Sequence, residues 1–199
     1  MKKEHIELYG DKMLKKYGLF KVMEKVLFHP NKKFSIRGLA RELDISPMSC
    51  REYLNYMKEN KMLSCELIGR TSQYKVIIDS PLVKEWKRVL FLNIFIKTGV
   101  VDYFLDYYGK EKIDSILLYG SMVKGTADEK SDIDILIILR NIKKKKPILL
   151  KFEGELKREI MPISFTFFEW KQKAKKEKAF YDEVILNSIV LYGEKPVVL

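Results

Sequence analysis

Two aspartates separated by one residue offer the clearest chemistry in this 199-residue sequence. Asp132 and Asp134 open a strongly apolar strand, predicted over Ile135–Leu139. Because side chains alternate along a strand, both carboxylates point to the same face. Two adjacent carboxylates repel each other unless a cation joins them, and Mg²⁺ binds through one or two carboxylates together with substrate phosphates. The spacing therefore predicts a Mg²⁺ (or Mn²⁺) site.

A glycine-serine pair lies upstream of the aspartates, directly after another apolar stretch. Ile113–Tyr119 predicts a buried strand, and Gly120 then lets the chain turn tightly and bring its backbone close to a ligand. Ser121 presents a hydroxyl and an N–H group to a phosphate at the start of a following helix. The two motifs together favour a ligand that carries phosphate and a divalent cation.

The string LLYGSMVKGTADEKSDIDILIIL resembles the DNA polymerase β-like nucleotidyltransferase superfamily, in particular its minimal branch. The shared pattern is a strand, Gly-Ser, ten residues (Met122–Ser131), and Asp-x-Asp opening the next strand. Gly125 matches the second glycine of the pattern. Lys124 stands where the family often has arginine, and Met122 departs from another common arginine. The resemblance covers approximately residues 100–199.

The resemblance implies transfer of a nucleotidyl group from an NTP to a hydroxyl acceptor, with loss of pyrophosphate. In such a reaction a bound metal neutralises charge and orients the phosphates. The residues implied are Gly120, Ser121, Lys124 and Gly125 for the nucleotide, and Asp132 and Asp134 as the catalytic and metal-binding pair.

The family usually places a third carboxylate on a later strand, and this sequence departs from the family there. The expected strand is Ile160–Phe168, whose interior contains no acid. Glu169 follows at the strand end, and we favour a role for it as a structural surface acid. Three interpretations stay open: the site uses two carboxylates and a water, Glu169 substitutes, or the catalytic step is impaired.

The N-terminal part has a different pattern, with helical periodicity followed by two strand-like segments. Ser35 and Ser46 stand where N-caps are expected, and Pro47 fits a first helical position. The predicted elements are helices over Leu19–Phe28, Ile36–Leu43 and residues 47–60, then strands over Met62–Ile68 and Gln73–Ile78.

That order resembles the winged helix-turn-helix family, over FSIRGLARELDISPMSCREYLNYMKENKMLSCELIGRTSQYKV. In such a fold the second helix of the motif enters the major groove, so the resemblance implies double-stranded DNA as a partner. A winged helix used only for protein–protein contact is the alternative, because Glu52 and Glu59 lie on or near the exposed face. The implied DNA contacts are Ser46, Ser49, Arg51, Asn55 and Arg70.

The amino-acid composition limits the kinds of partner and the cellular location that this protein can have. A formal net charge of +11 favours polyanionic partners. The alternative interpretation is that the surplus lysine only solubilises the surface. Cys50 and Cys65 are too few for a disulfide framework, and no apolar stretch reaches the ~18–20 residues of a membrane span. We expect a cytoplasmic protein without membrane association. Lys143–Lys146 is expected to be a solvated hairpin tip, and His5 and His29 are expected to be structural.

We therefore predict an α+β chain with three parts. A winged helix-turn-helix domain spans residues 1–80, and a linking helix spans residues 81–99. The third part, residues 100–199, is a nucleotidyltransferase-type mixed β-sheet that is flanked by helices. The apolar linking segment is expected to pack in a core, with a homodimer contact as the alternative. Tyr181–Gly193 is predicted to close the chain as a packing helix.

Three functions remain open at this point. The first is an active Mg²⁺-dependent nucleotidyltransferase whose winged helix recruits DNA or a protein target. The second is a DNA-binding transcriptional regulator whose second domain senses a nucleotide and catalyses poorly. The third is a pair of interaction modules that act mainly on a partner.

Overall fold

The computed structural model describes residues 18–140 and 147–198. The chain divides into two compact units, Met1–Asn93 and Ile94–Leu199. None of the helices within the described ranges has the length and apolar character needed to cross a bilayer. The predicted tip Lys143–Lys146 and His5 lie outside the described residues.

In the first unit, side-chain caps and turn residues set the helix ends. The hydroxyls of Ser35 and Ser46 each accept a hydrogen bond from the backbone amide three residues on, at 3.2 and 3.0 Å. Pro47 takes the first position of its helix, and Asp44 ends the preceding one in the left-handed conformation. In chain order the elements are α1 (Gly18–Leu27), β1 (Phe34–Ser35), α2 (Ile36–Leu43), α3 (Pro47–Glu59), β2 (Leu63–Ile68), β3 (Thr71–Val76) and most of α4 (Pro81–Lys97), whose residues from Ile94 onward belong to the second unit.

The three strands of this unit form an antiparallel sheet in the order β1-β3-β2. The hairpin turn is shorter than predicted, since only Gly69 and Arg70 separate β2 from β3. Gly69 has φ +60°, as the first central residue of a two-residue hairpin turn requires. The helices and the inner face of the hairpin bury one apolar cluster, which includes Val22, Val26, Leu39, Leu54, Met57 and Tyr74.

The second unit is built around a four-stranded mixed sheet in the order β6-β5-β4-β7. The central strand β4 (Ile113–Tyr119) pairs antiparallel with β5 (Ile133–Leu139) and with β7 (Ile189–Gly193), whereas β5 pairs in parallel with β6 (Ile160–Thr166). The helices are α5 (Val100–Tyr108), α6 (Ser121–Lys124), α7 (Leu150–Leu156), α8 (Phe167–Lys176) and α9 (Lys178–Asn187).

One face of this sheet carries an apolar cluster that holds the strand ends in place. Leu117 and Leu136 are opposite one another on β4 and β5, and Trp170 of α8 and Val184 of α9 are completely buried with them. The indole N–H of Trp170 donates to the carbonyl of Pro196 at 2.7 Å. Because β4 and β5 lie side by side, the Gly-Ser and Asp-x-Asp motifs meet at one edge of the sheet.

Two predicted boundaries in this unit are wrong. Helix α9 ends at Asn187, and Ile189–Gly193 is the edge strand β7 rather than the end of a packing helix. Its β-branched and aromatic side chains suit a strand, and pairing with β4 satisfies its backbone. The predicted strand Ile160–Phe168 stops at Thr166, because Thr166 caps α8.

Candidate active site

The turn at the end of β4 brings backbone against a carboxylate. Gly120 has φ 78° and ψ −151°, a conformation that is essentially confined to glycine. A Cβ atom built on Gly120 would lie 2.1 Å from Oδ2 of Asp134. The hydrogen on the Gly120 Cα is therefore what leaves room for the Asp134 carboxylate, and the first glycine and second aspartate of the two motifs are in direct contact.

Ser121 begins a single helical turn whose backbone closes tightly on itself. The carbonyl oxygen of Ser121 accepts hydrogen bonds from the amides of Gly125, Thr126 and Ala127, the last two at 3.1 and 3.2 Å. Gly125 sits in the left-handed region at φ +68°. This closure fixes Ser121 directly after the Gly120 turn, so the Gly-Ser loop is preorganised rather than open.

The two aspartates differ in their surroundings. Asp134 lies inside β5 opposite Tyr119 and is half-buried, whereas Asp132 precedes the strand and is exposed. Burial, together with the nearby charge of Asp132, raises the pKa of the Asp134 carboxyl above its usual range. Burial, together with the charge of Asp134, likewise raises the pKa of Tyr119 to about 12. The aspartates thus interact as the spacing predicts, and their pair is unfavourable without a cation.

The donor set fits a divalent metal that is also bound by a nucleotide. Two mutually repelling carboxylates, one of them partly desolvated, are the protein ligands that Mg²⁺ takes when phosphates complete its shell. Within residues 18–140 and 147–198, no group of three or more His, Cys, Asp or Glu side chains is arranged to hold a metal. The site therefore offers Asp132 and Asp134 and no third protein carboxylate in the described part of the chain.

The parallel register shows what stands where a third carboxylate would lie. Asp134 of β5 is paired with Met161 of β6, and Leu136 with Ile163. Paired residues of neighbouring strands point to the same face, so Met161 projects on the side of Asp134, where it is 47% exposed. The position beside the aspartate pair is apolar and accessible.

Glu169 serves a different purpose. Its carboxylate accepts hydrogen bonds from the backbone amide of Thr166 at 2.7 Å and from the Thr166 hydroxyl at 3.0 Å. The Thr166 hydroxyl in turn accepts from the amide of Glu169, which completes a capping box at the start of α8. Glu169 is therefore a structural acid at the start of α8, as we favoured, and the capping box engages the carboxylate that substitution for the third acid would need.

Lys124 has an ionic partner in the structure. Its Nζ lies 2.7 Å from Oε1 of Glu183, a half-buried acid on α9. The lysine predicted to bind nucleotide is thereby held against the helix that covers the sheet. No local sequence signal joins these two residues, which are far apart in the chain.

A second pair of interactions involves the residues just before Asp132. Asp128 accepts hydrogen bonds from the amide of Lys130 at 2.9 Å and the hydroxyl of Ser131 at 3.0 Å, which hold its pKa below the usual range. Nη1 of Arg158 donates to the carbonyl of Ser131 at 2.7 Å. Burial lowers the pKa of Arg158, against the opposing effect of nearby carboxylates that include Asp132. No motif or periodicity in the sequence pointed to this arginine.

The residues predicted to contact DNA have different surroundings in the first unit. The hydroxyls of Ser46 and Ser49 are 2.9 Å apart and both serve the start of α3. Asn55 accepts a hydrogen bond from the Tyr74 hydroxyl at 3.1 Å and so ties α3 to β3. The other two predicted contacts, Arg51 on α3 and Arg70 at the hairpin tip, have exposed side chains.

Comparison with known proteins agrees with this geometry. Residues 105–196 match the family model described as polymerase beta, nucleotidyltransferase. Over 81 residues the chain is 33% identical to a Methanocaldococcus jannaschii protein that carries the name putative protein adenylyltransferase, covering 38% of this chain and 75% of that relative. The chain therefore belongs to the polymerase beta-type nucleotidyltransferase family, and the resemblance inferred for its second unit is confirmed.

Two solved structures show weaker likeness. One is NolR from Sinorhizobium fredii, with 12% identity, a TM-score of 0.28 and coverage of 48% of this chain and 78% of that one. The other is TrmBL2, described as an archaeal chromatin protein with a novel mode of DNA binding, with 11% identity, a TM-score of 0.25 and coverage of 90% and 71%. Scores this low carry no argument about fold or function.

Proposed function

We propose that this chain is a Mg²⁺-dependent nucleotidyltransferase that moves a nucleotidyl group from an NTP to a hydroxyl acceptor. The observation that carries the proposal is the contact between Gly120 and Asp134. It joins the Gly-Ser turn to the aspartate pair at one edge of the sheet, with the Asp134 carboxylate half-buried beside Asp132. Catalysis of this kind rests chiefly on positioning and on electrostatic stabilisation, which such a rigid, charged edge provides.

Each residue of the edge has a distinct part in this proposal. Asp132 and Asp134 hold the metal, which when bound neutralises phosphate charge and orients the triphosphate. Ser121, fixed by the closure of its own loop, donates its hydroxyl and amide to the phosphates. Lys124 lies on the same loop and is ion-paired with Glu183, so its positive charge becomes available to a phosphate only when that pair opens.

The acceptor that we propose is a hydroxyl side chain of a protein. The name of the M. jannaschii relative supports this class of acceptor. The exposed apolar Met161 beside the aspartate pair also supports it, because an apolar flank suits a folded polypeptide better than a polyanionic nucleic-acid end. The base of the nucleotide is left to experiment.

For the first unit we propose a winged helix-turn-helix that recognises double-stranded DNA or a protein target. The order of helices and hairpin, and the exposure of Arg51 on α3 and Arg70 at the hairpin tip, support this role. Ser46 and Ser49 lie at the start of α3, where the Ser46 hydroxyl caps the helix by accepting from the amide of Ser49. Asn55 contributes by holding α3 in place, because its amide oxygen accepts a hydrogen bond from the Tyr74 hydroxyl.

The test is transfer of label from NTPs carrying a labelled α-phosphate, with Mg²⁺ or Mn²⁺ and a panel of protein acceptors. We expect transfer that is lost in the double variant Asp132→Ala plus Asp134→Ala. The matched control is Asp102→Ala plus Asp106→Ala, which removes two exposed carboxylates from α5 and should retain transfer. Transfer that survives in the first double variant would contradict the assignment.

A second candidate function is a DNA-binding regulator that senses a nucleotide and catalyses poorly. The apolar Met161 at the register of Asp134 favours it, because that position supplies no group to activate a hydroxyl. This candidate predicts metal-dependent NTP binding without label transfer. It also predicts a DNA mobility shift whose affinity changes when Mg²⁺ and NTP are added, whereas a shift that ignores the nucleotide would contradict sensing.

A further inference from the structure

The loop that delivers the first aspartate is tightly folded. We call residues 127–132 the aspartate loop. Within it, the amide of Asp128 donates to the Ser131 hydroxyl at 2.9 Å, and that hydroxyl donates to the Asp128 carboxylate at 3.0 Å. The amide of Lys130 donates to the same carboxylate at 2.9 Å. These bonds shape the loop internally, and the amide of Ala127 holds its first residue to the carbonyl of Ser121. None of these bonds holds Ser131 against the sheet.

Arg158 connects the aspartate loop to the rest of the unit. It lies between α7 and β6, and its Nη1 donates to the carbonyl of Ser131 at 2.7 Å. Its own backbone is held on both sides, because its amide donates to the carbonyl of Glu153 and the amide of Ile160 donates to the Glu153 carboxylate. The guanidinium is thus anchored before it reaches the loop.

The charge of Arg158 matches the loop that it contacts. Its guanidinium interacts electrostatically with the carboxylates of Asp128, Glu129 and Asp132. A half-buried arginine loses part of its hydration. That loss is tolerated in a folded protein only where carboxylates and carbonyls compensate for it. Arginine also suits this place because its planar fork binds a carbonyl and carboxylates at once, which an ammonium does not do as well.

We infer that Arg158 is a positioning residue that holds Ser131 and Asp132 so that the Asp132 carboxylate faces the metal site beside Asp134. The inference rests on the proposed function, since it concerns the same metal site. Arg158 acts through the backbone of the residue directly before a ligand. Outer residues that orient metal ligands typically alter metal affinity by about 10–100-fold when they are replaced.

Mn²⁺ alone is the probe, and its binding is measured by electron paramagnetic resonance on the full chain. The variant is Arg158→Met, and Arg158→Lys is the conservative companion. The matched control is Arg140→Met, because Arg140 also ion-pairs with a carboxylate, that of Asp114, but at the opposite end of β5. Thermal unfolding shows whether each variant retains its fold.

A positioning role and a simple charge effect of Arg158 predict opposite changes in Mn²⁺ affinity when the arginine is replaced. Removing a positive charge near a cation site should tighten Mn²⁺ binding. Loss of positioning should weaken it, by about tenfold or more in Arg158→Met. We expect weakening in Arg158→Met, partial recovery in Arg158→Lys, and binding within about twofold of wild type in Arg140→Met. Unchanged or tighter binding in Arg158→Met would overturn the inference. If Arg158→Met fails to fold, Arg158→Gln against Arg140→Gln decides, with unchanged or tighter Mn²⁺ binding in Arg158→Gln as the overturning result.

Hydrogen exchange separates this inference from the proposed function. In Arg158→Met the amides of Lys130 and Ile133 should exchange faster than in wild type, while in Arg140→Met they should not. Unchanged exchange in Arg158→Met would overturn the inference, whatever the metal result. A wild-type chain that binds no Mn²⁺ would contradict the proposed function, and exchange would still decide whether Arg158 holds the loop. Binding of Mn²⁺ without nucleotidyl transfer would remove the enzyme and leave the inference standing.

Discussion

Replacing Gly120 with alanine should damage the fold and the site together. The backbone at φ 78° and ψ −151° is a strained conformation for any residue with a Cβ, at about 1–3 kcal/mol. The added Cβ would also lie 2.1 Å from Oδ2 of Asp134, and overpacking of this kind costs about 1–3 kcal/mol. The free energy of unfolding should therefore fall by about 2–6 kcal/mol, a large part of the ~5–15 kcal/mol of a typical domain.

Two other glycines isolate the two contributions. Gly99 has φ +73°, and a Cβ added there would meet no atom within 4 Å, so Gly99→Ala should show backbone strain alone, about 1–2 kcal/mol. Gly154 lies within α7, again with open space around it, and Gly154→Ala should be neutral or stabilise by about 0.5–1 kcal/mol. The order Gly120, Gly99, Gly154 is the expected ranking of destabilisation.

A double-mutant cycle tests the contact itself. In an Asp134→Ala background the nearest remaining side-chain atom is Cβ, at 3.4 Å, so Gly120→Ala should cost about 1–3 kcal/mol less than in wild type. The assay is denaturant unfolding followed by the fluorescence of Trp170, with Trp86→Phe to remove the other tryptophan. The reasoning would be refuted if Gly120→Ala cost under about 1 kcal/mol with Mn²⁺ binding unchanged, or if its cost were the same in both backgrounds.

Three further predictions concern other parts of the chain. Met161→Asp should raise the rate of nucleotidyl transfer by about tenfold or more in the label assay, because a positioned base contributes about 10²–10⁴-fold; an unchanged rate would show that the β6 position does not serve the reaction. Arg51→Ala plus Arg70→Ala should weaken DNA binding in a mobility shift, by about tenfold or more if both touch phosphate or bases, while Arg88→Ala, whose partner is on its own helix, should not. The lowered pKa of Asp128 means that its ionised form stabilises the fold above its unfolded-state pKa, and that this stability is lost as the pH falls below about 4. The free energy of unfolding of wild type should therefore fall more steeply in acid than that of Asp128→Asn. Parallel plots of unfolding free energy against pH for the two proteins would contradict this.

Patterns that are local in sequence predicted much of the fold. The N-caps Ser35 and Ser46, the helix α3 and the strand β4 were all predicted from residue type and spacing. The Gly-Ser and Asp-x-Asp motifs at their fixed spacing identified the family, because each is attached to its own strand. The capping role of Glu169 was missed, because the strand was predicted through Phe168, although Thr166 and Glu169 have the spacing of a capping box.

Features that depend on tertiary contacts were not readable. Strand β7 is a short apolar segment after a helix, and only its pairing with β4 distinguishes it from a helical end. The bond from Arg158 to Ser131 spans 27 residues, and the pair Lys124 and Glu183 is more distant still. Such pairs leave no periodic signal, so the geometry of the site exceeds what a single sequence predicts.

The apolar Met161 bears on the proposed binding of a cation at this site. A thioether donates no hydrogen bond to Asp134, so the half-buried carboxylate receives no relief from the β6 side at that register. Its neighbour Asp132 makes the ionised form less favourable still. A fold keeps such an arrangement where a ligand offsets it, since functional sites are where destabilising charge is tolerated. Under the proposed function, the apolar β6 position therefore affects activation of the acceptor first, and leaves the electrostatic reason for binding a metal in place.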